Sequence, residues 1–165
     1  MSILVRRIAR AKWGDLPHDS SDVPADAITT CLKTSDNALS VWEIESEDEL
    51  NDAILALVTG KSQEQFSKID YVWIEDSKLK NKGLSLVDYP GDTAVDELVD
   101  KHKNIPNLTY VKLGKMKDVI LECFASGKYD FKTRESIKKI VKSSIASGKL
   151  QREKLNEKLV KKENL

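Results

Sequence analysis

Segments typical of strands alternate with segments typical of amphipathic helices along most of this chain, and this alternation restricts its fold more than any other feature. Two strand segments are well defined, at residues 38–45 and 69–74, and both are rich in β-branched and aromatic side chains. Between them, apolar residues recur at the spacing of one helix face: Leu50, Ala53, Ile54, Leu57 and Val58. Strands joined through helices favour a layered sheet with parallel crossover connections.

The remaining segments are less regular but follow the same two patterns. Residues 3–12 suit an edge strand or a short helix, whereas residues 84–87 and 108–111 suit short strands. Helical spacing returns over residues 113–124, and residues 78–83 have the composition of a loop. The sequence therefore predicts an α/β fold, with a mixed or mostly parallel sheet of about four to five strands flanked by helices and a C-terminal helical extension.

The formal net charge is zero, but the two signs are distributed unevenly along the chain. Residues 1–100 carry 10 Lys and Arg against 20 Asp and Glu, whereas residues 101–165 carry 17 against 7. Most of the positive excess follows position 127. Aromatic residues stop after Phe131, and from Thr133, a candidate helix cap, the pattern is helical. We therefore predict an acidic α/β domain over residues 1–127 and a basic helical C-terminal extension over residues 128–165.

This charge asymmetry has three interpretations, and the sequence leaves all of them open. The basic extension binds an anionic partner, or it docks on the acidic domain of its own chain, or it is a solvated helical face that binds nothing. In the first case, contacts with phosphates or with a partner would come from cations of the extension: Lys132, Arg134, Lys138, Lys139, Lys142, Lys149 and Arg152.

The motifs of common catalytic and cofactor sites are absent from the sequence. It contains no glycine-rich phosphate-binding or dinucleotide-binding pattern, no zinc-protease histidine pair and no serine-hydrolase elbow. Cys31 and Cys123 lie far apart, each within a helical stripe, which favours reduced core thiols over a metal knuckle. The sequence therefore predicts no cofactor, no bound metal and no enzymatic activity of a familiar type.

The sequence also lacks the features of a membrane or secreted protein. No apolar run approaches the roughly 18 residues that span a bilayer, and the first residues lack the long apolar core of a secretion signal. We therefore expect a soluble, cytoplasmic protein with no membrane partner.

The strongest candidate site in the sequence is an acidic loop formed by Asp88, Asp92 and Thr93, between a predicted strand and a predicted helix. Carboxylates at a strand end supply oxygen ligands to divalent cations in metal-dependent phosphoryl transfer. A tight turn at Pro90-Gly91 followed by a helix cap accounts for the same residues without a ligand.

Aromatic and imidazole side chains provide further candidates. Trp13, Trp42 and Trp73 can stack on a base or receive a partner's side chain, although tryptophans in such positions more often pack in a core. His18 and His102 each have the chemistry of a general base or a ligand, and each equally suits a surface position or a helix end.

Two functions from different classes agree with these observations. The first is a small non-catalytic protein-interaction module of the antitoxin, immunity or accessory-subunit type, whose acidic domain binds a partner protein. The second is a nucleic-acid-associated protein that binds phosphates through its lysine-rich C-terminal helices, with metal-assisted phosphodiester chemistry at the acidic loop. We favour the first, because the charged domain can steer a partner of opposite charge and no catalytic motif accompanies it.

Overall fold

The computed structural model of the protein describes residues 2–15 and 22–165, and its centre is a sheet of six strands. In chain order the strands are β1 (Ile3–Ile8), β2 (Leu39–Ile44), β3 (Ile69–Glu75), β4 (Val87–Asp88), β5 (His102–Ile105) and β6 (Tyr129–Lys132). The helices are α1 (Ala25–Cys31), α2 (Leu50–Val58), α3 (Asp76–Asn81), α4 (Tyr110–Ala125), α5 (Arg134–Ala146) and α6 (Glu157–Glu163).

Every pair of neighbouring strands in this sheet is antiparallel, in the order β4-β5-β2-β1-β3-β6. The prediction of a mixed or mostly parallel sheet with about four to five strands is therefore wrong. The protein does combine a sheet with flanking helices, so the α/β composition is confirmed.

The prediction of a parallel sheet is wrong about which strands are adjacent. The helical connections do join strands that run in the same direction. β2 and β3, which α2 connects, run in the same direction, but β1 lies between them in the opposite direction and pairs with both. β5 and β6, which α4 connects, also run in the same direction, with three strands between them. Apolar periodicity indicates a buried strand, but it does not indicate which strand becomes its neighbour.

Local predictions differ in accuracy along the chain. The strands expected at residues 38–45 and 69–74 are confirmed as β2 and β3, and the helix expected over residues 113–124 is confirmed within α4. Residues 3–12, expected to form an edge strand or a short helix, form the interior strand β1 followed by a 3₁₀ turn at Arg10–Trp13. The loop expected over residues 78–83 is mostly helix α3.

The strand expected at residues 108–111 is also wrong, because the chain turns there into α4. Asn107 has a left-handed backbone with φ of 54°, a conformation that asparagine tolerates better than most residues. The Thr109 side chain then accepts the backbone N–H of Lys112 and caps the helix. Tyr110 and Val111 therefore lie in the first turn of α4 and not in a strand.

The sheet separates two apolar cores, because successive side chains of a strand point to opposite faces. Leu4 and Ile8 of β1 lie in the core beneath α1, α3 and α4. Val5, between them, lies in the core beneath α2, α5 and α6. Both faces of the sheet are thus covered by helices.

The C-terminal helices complete the second of these cores. Ile137 and Val141 of α5 and Leu159 of α6 are fully buried, and α5 packs against α2. Glu163, near the end of α6, is also fully buried and forms a bidentate ion pair with Arg134, with N–O distances of 3.1 Å. The division into residues 1–127 and 128–165 stays a prediction, although both parts contribute to this core.

Ion pairs connect the basic C-terminal residues to carboxylates in the first 100 residues. Lys149 Nζ lies 2.8 Å from Asp52 Oδ1 and 3.0 Å from Glu97 Oε1. Lys158 Nζ lies 2.6 Å from Glu64 Oε1. The opposite charges of the two ends of the chain therefore meet at the surface of the fold, in partly exposed positions.

One candidate residue lies outside the described residues. His18 falls within residues 16–21, which the structure does not describe. Within the described part of the chain, no helix has both the length and the apolar character required to cross a membrane.

Candidate functional site

An apolar groove of about 660 Å³ lies at the surface between the C-terminal end of α1 and the first turns of α4. Both helices pack on the same face of the sheet, so their neighbouring ridges form its walls. The lining consists of Ile28, Thr29, Leu32, Lys33, Thr34, Tyr110, Leu113, Gly114 and Lys117.

A glycine in the second turn of α4 forms part of the groove wall. Gly114 has helical neighbours on both sides, and a Cβ built at this position would meet no other atom within 4 Å. Glycine inside a helix costs roughly 1 kcal/mol relative to alanine. The fold therefore tolerates a less stable helix at a position that lines the groove.

Two large apolar side chains stand exposed beside this groove. Tyr110 is 94% exposed and Val111 is 73% exposed, and they follow one another in the first turn of α4. Val111 lies outside the groove lining and follows Tyr110 directly in the chain. Large exposed apolar side chains beside an apolar groove are typical of a binding site for another macromolecule.

Lysines lie in the groove lining and in the first turn of α4. The first turn of α4 contains no carboxylate, while Lys112 follows within it and Lys117 lies one turn further. Lys117 Nζ is 3.3 Å from Asp118 Oδ1, and Lys33 at the end of α1 is exposed. Cations near a helix N-terminus interact unfavourably with the helix dipole, so an anionic group placed here would stabilise α4.

The acidic loop engages its two carboxylates with different partners. Asp88, on the edge strand β4, pairs with Lys103 of β5. Asp92 accepts the backbone N–H of Lys61, after α2, at 3.2 Å. Within residues 2–15 and 22–165, no group of three or more His, Cys, Asp and Glu side chains is placed to hold a metal ion.

The rest of the acidic loop packs against the second core. Thr93 is buried, and its Oγ1 lies 2.9 Å from Thr59 Oγ1. Gly91 lies so close to Trp42 and His102 that a Cβ would meet His102 Cβ at 2.8 Å. His102 is 8% exposed, its Nδ1 lies 2.9 Å from the Tyr89 carbonyl oxygen, and burial lowers its pKa below the usual 6.5.

The three tryptophans occupy different environments. Trp13 is fully buried and packs edge-on against Phe124, with ring centroids 5.4 Å apart. Trp42 is 6% exposed and packs against His102. Trp73 is partly exposed and donates its indole N–H to Glu47 at 2.9 Å. Of the three candidates for contact with a base or a partner, Trp73 is therefore the one at the surface.

The predicted basic residues also divide into groups. Arg134 and Lys149 form the ion pairs described above, and Lys132 lies 3.9 Å from Asp130. Lys139 and Lys142 are exposed on one side of α5, with Lys138 beside them and partly covered. Arg152 is exposed in a 3₁₀ turn before α6.

Both cysteines lie in the core, as predicted. Cys31 Sγ accepts the backbone N–H of Ala9 at 3.1 Å and the indole N–H of Trp13 at 3.3 Å. Burial raises the pKa of the Cys123 thiol to about 11. Such a thiol is protonated at neutral pH, so Cys123 is a poor nucleophile.

Comparison with known protein families, with curated proteins and with solved structures found no match to this chain. The geometry of the fold therefore supplies the argument about function. The sequence does not predict the groove between α1 and α4, because its pattern at Tyr110 and Val111 suits a strand. The polar turn at Asn107 and the capping residue Thr109 are the sequence signals that could have placed them in a helix.

Proposed function

We propose that this protein is a non-catalytic interaction module of the antitoxin, immunity or accessory-subunit type, and that it binds a partner protein through the groove between α1 and α4. The observation that supports this most directly is the apolar groove with Tyr110 and Val111 exposed beside it. A small ligand confined to the groove would leave Val111 in water. The proposal places the protein in the cytoplasm, where its thiols stay reduced.

The partner segment has a definite chemistry in this proposal. A groove between two helices accepts the apolar face of an amphipathic helix, with side chains three or four residues apart as anchors. Lys33 lines the groove, and Lys112 lies in the first turn of α4, so we expect Asp or Glu beside the anchors of the partner. These charges would accelerate association more than they would strengthen the final complex.

Binding of the partner through the acidic surface, which the sequence favours, has less support than binding through the groove between α1 and α4. Asp52 and Glu97 are both held by Lys149, and Glu64 is held by Lys158. These carboxylates already have cationic partners within the chain, so a basic partner would have to displace them. The groove requires no such exchange.

Site-specific photo-crosslinking in the native cell tests the proposal. A photoreactive phenylalanine at Tyr110 should capture one protein that the same group at Lys139, on the opposite face of the sheet, does not capture. The complex should survive nuclease treatment. The purified partner is then titrated against wild-type protein and the variants Gly114→Leu and Lys139→Leu, each of which adds one leucine to a helix.

We expect Gly114→Leu to weaken partner binding by at least about tenfold, since it fills the groove, and Lys139→Leu to leave binding unchanged. Gly114→Leu should also raise the thermal midpoint, because leucine is the better helix former. A loss of binding would therefore not be a loss of folding. Equal capture at both positions, or full binding by Gly114→Leu, would contradict the proposal.

Nucleic-acid binding through the C-terminal helices is the second candidate function. The exposed side of α5 with Lys139, Lys142 and the neighbouring Lys138 favours it. Capture that disappears after nuclease treatment, together with loss of binding in a variant with all three lysines replaced by alanine, would support this candidate instead.

A further inference from the structure

The sheet ends in two edge strands of unequal length. β4 contains two residues, Val87 and Asp88, and Asp88 already pairs with Lys103 of β5. β6, at the opposite end of the strand order, contains four residues, from Tyr129 to Lys132. An exposed edge strand presents N–H and C=O groups that a further strand can bond. β6 therefore offers the longer edge for another strand.

The backbone of β6 directs two residues toward this open edge. The Trp73 N–H of β3 donates to the carbonyl oxygen of Lys128, just before β6, at 3.2 Å. Because hydrogen-bonded positions alternate along an antiparallel pair, Tyr129 and Phe131 direct their N–H and C=O groups away from β3. Within the described part of the chain, no turn, loop or side chain bonds these groups. They are therefore available to another strand.

The side chains of β6 divide between the two faces of the sheet. Tyr129 lies opposite Val72, which belongs to the core beneath α1 and α4, so Tyr129 and Phe131 share that face. These two side chains are 39% and 50% exposed. The alternate residues, Asp130 and Lys132, lie on the other face. β6 therefore has aromatic rings on one face and a pair of opposite charges on the other.

The two charged side chains of β6 are not tightly paired with each other. Lys132 Nζ lies 3.9 Å from Asp130 Oδ2, whereas a charge-assisted hydrogen bond is roughly 2.7–2.9 Å long. The Tyr71 hydroxyl donates to the same oxygen at 3.2 Å, so Oδ1 of Asp130 can accept a further donor. Each charge can therefore form a closer ion pair with a group across the edge.

We propose that β6 pairs with β6 of a second copy of this chain, antiparallel and centred on Phe131, so that the two sheets continue into one. The N–H and C=O groups of Phe131 bond those of the same residue in the second copy, and the Tyr129 C=O accepts the N–H of Thr133. Thr133 has an extended backbone, with φ of −71° and ψ of 162°, so it can lengthen the pairing by one residue. Self-complementary contact about a two-fold axis is the commonest interface of homo-oligomers.

Charge complementarity selects this occupant and this register. With Phe131 at the centre, Asp130 of each copy lies directly opposite Lys132 of the other copy, and the two Phe131 rings meet on the other face. Opposite charges directly across an antiparallel pair are stabilising, whereas like charges are destabilising. A register centred on Asp130 would place two carboxylates opposite each other. The charge pattern of β6 therefore fits a second β6 in the register centred on Phe131.

The joined sheet would present both grooves between α1 and α4 on one side, because residues opposite each other in an antiparallel pair lie on the same face. The pairing does not depend on the proposed function of the groove, since none of the paired residues belongs to the groove lining. A strand of four residues buries little area, so we expect a weak dimer.

Sedimentation velocity of the full chain at rising concentration tests this proposal. We expect a reversible shift from monomer to dimer in the wild type. Asp130→Lys and Lys132→Asp should each weaken association by about tenfold, because each replaces two ion pairs with two like-charge pairs. An equimolar mixture of the two variants should restore association, because opposite charges then face each other again. The matched control Lys139→Asp, on the exposed side of α5, should associate as the wild type does.

The mixture also controls for folding. Asp130→Lys removes the acceptor of the Tyr71 hydroxyl, so this variant alone could lose association through a loss of stability. An unfolded variant could not restore association in the mixture, whereas a folded one with the wrong charge could.

Cysteine crosslinking tests the register. Phe131→Cys places two thiols directly opposite each other, at a Cα separation of about 5.5 Å that suits a disulfide, so mild oxidation should give a covalent dimer. Tyr129→Cys faces Thr133 of the second copy and should not crosslink. The native Cys31 and Cys123 are buried, so they should not contribute.

Three results would overturn the proposal. They are a monomeric wild type at every concentration, a mixture of Asp130→Lys and Lys132→Asp that associates no better than either variant alone, and equal crosslinking of Phe131→Cys and Tyr129→Cys.

Discussion

Replacing Glu163 with alanine should loosen the last helix from the rest of the fold. The Glu163 carboxylate is fully buried at the end of α6. It accepts the backbone N–H of Phe66 at 2.9 Å and forms a bidentate pair with Arg134 at the start of α5. One side chain therefore connects α6, α5 and the segment before β3.

The expected loss of stability follows from the two groups that Glu163 bonds and alanine cannot bond. The Phe66 N–H is buried and would lose its acceptor, which costs about 1–3 kcal/mol. Arg134 is 50% exposed and can return to water, so its pairing is discounted to about 0.5–1 kcal/mol. Removing the buried carboxylate also relieves its desolvation, which offsets part of the loss. We expect the free energy of unfolding to fall by about 2–3 kcal/mol.

Urea unfolding followed by circular dichroism measures this change, with Glu163→Gln and Glu153→Ala as controls. The glutamine keeps an acceptor for Phe66 and should lose only about 1 kcal/mol, and the exposed Glu153 should change by less than about 0.5 kcal/mol. Amide hydrogen exchange should accelerate at Phe66 and across α6 in Glu163→Ala. A free energy of unfolding equal to that of the wild type, or unchanged exchange at Phe66, would refute the reasoning.

Two further predictions concern the segment around His102. Gly91→Ala should reduce the free energy of unfolding by about 1–3 kcal/mol, because the new methyl group overlaps Trp42 and His102. The control variant Gly114→Ala should raise the free energy of unfolding by up to about 1 kcal/mol, because its methyl group meets no atom within 4 Å. Equal thermal midpoints for the two variants would contradict this prediction. The buried His102 has a lowered pKa, so the unfolded chain binds the proton first, and the stabilisation by neutral His102 should decline as pH falls below about 6.5. Unfolding free energies measured on both sides of this pH should show a steeper decline in the wild type than in His102→Gln, and parallel profiles would exclude this role for His102.

The distribution of charge along the sequence does not predict where the charged surfaces of the fold lie. Lys149 and Lys158 pair with carboxylates of the first 100 residues, so opposite signs that are distant in sequence become neighbours. Arg7 and Lys68, which line a surface cavity, belong to the first 100 residues, whose net charge is negative. A charge count over a segment averages over faces of the fold that point in different directions.

The candidate surfaces required the tertiary structure for the same reason. The groove depends on the approach of α1 to α4, and the unpaired gap between β1 and β2 depends on the divergence of these two strands after Val5. Neither approach nor divergence has a local signature. The acidic loop, in contrast, was recognisable from Pro90-Gly91, but its packing against Trp42 is a contact between residues far apart in the chain.

The sequence by itself determined the strongest elements of this protein: β2, β3, most of α4, and α5 with its cap at Thr133. The apolar spacing and the capping residues of these elements are local signals that span only a few positions. The elements can therefore be predicted from the sequence without the fold. Only the tertiary structure decided the order of the strands, the insertion of β1 between β2 and β3, and the pairing of the basic end with acidic residues. Side chains alternate in the same way whichever strand lies alongside, and the choice of neighbour depends on contacts that form only when the whole chain packs.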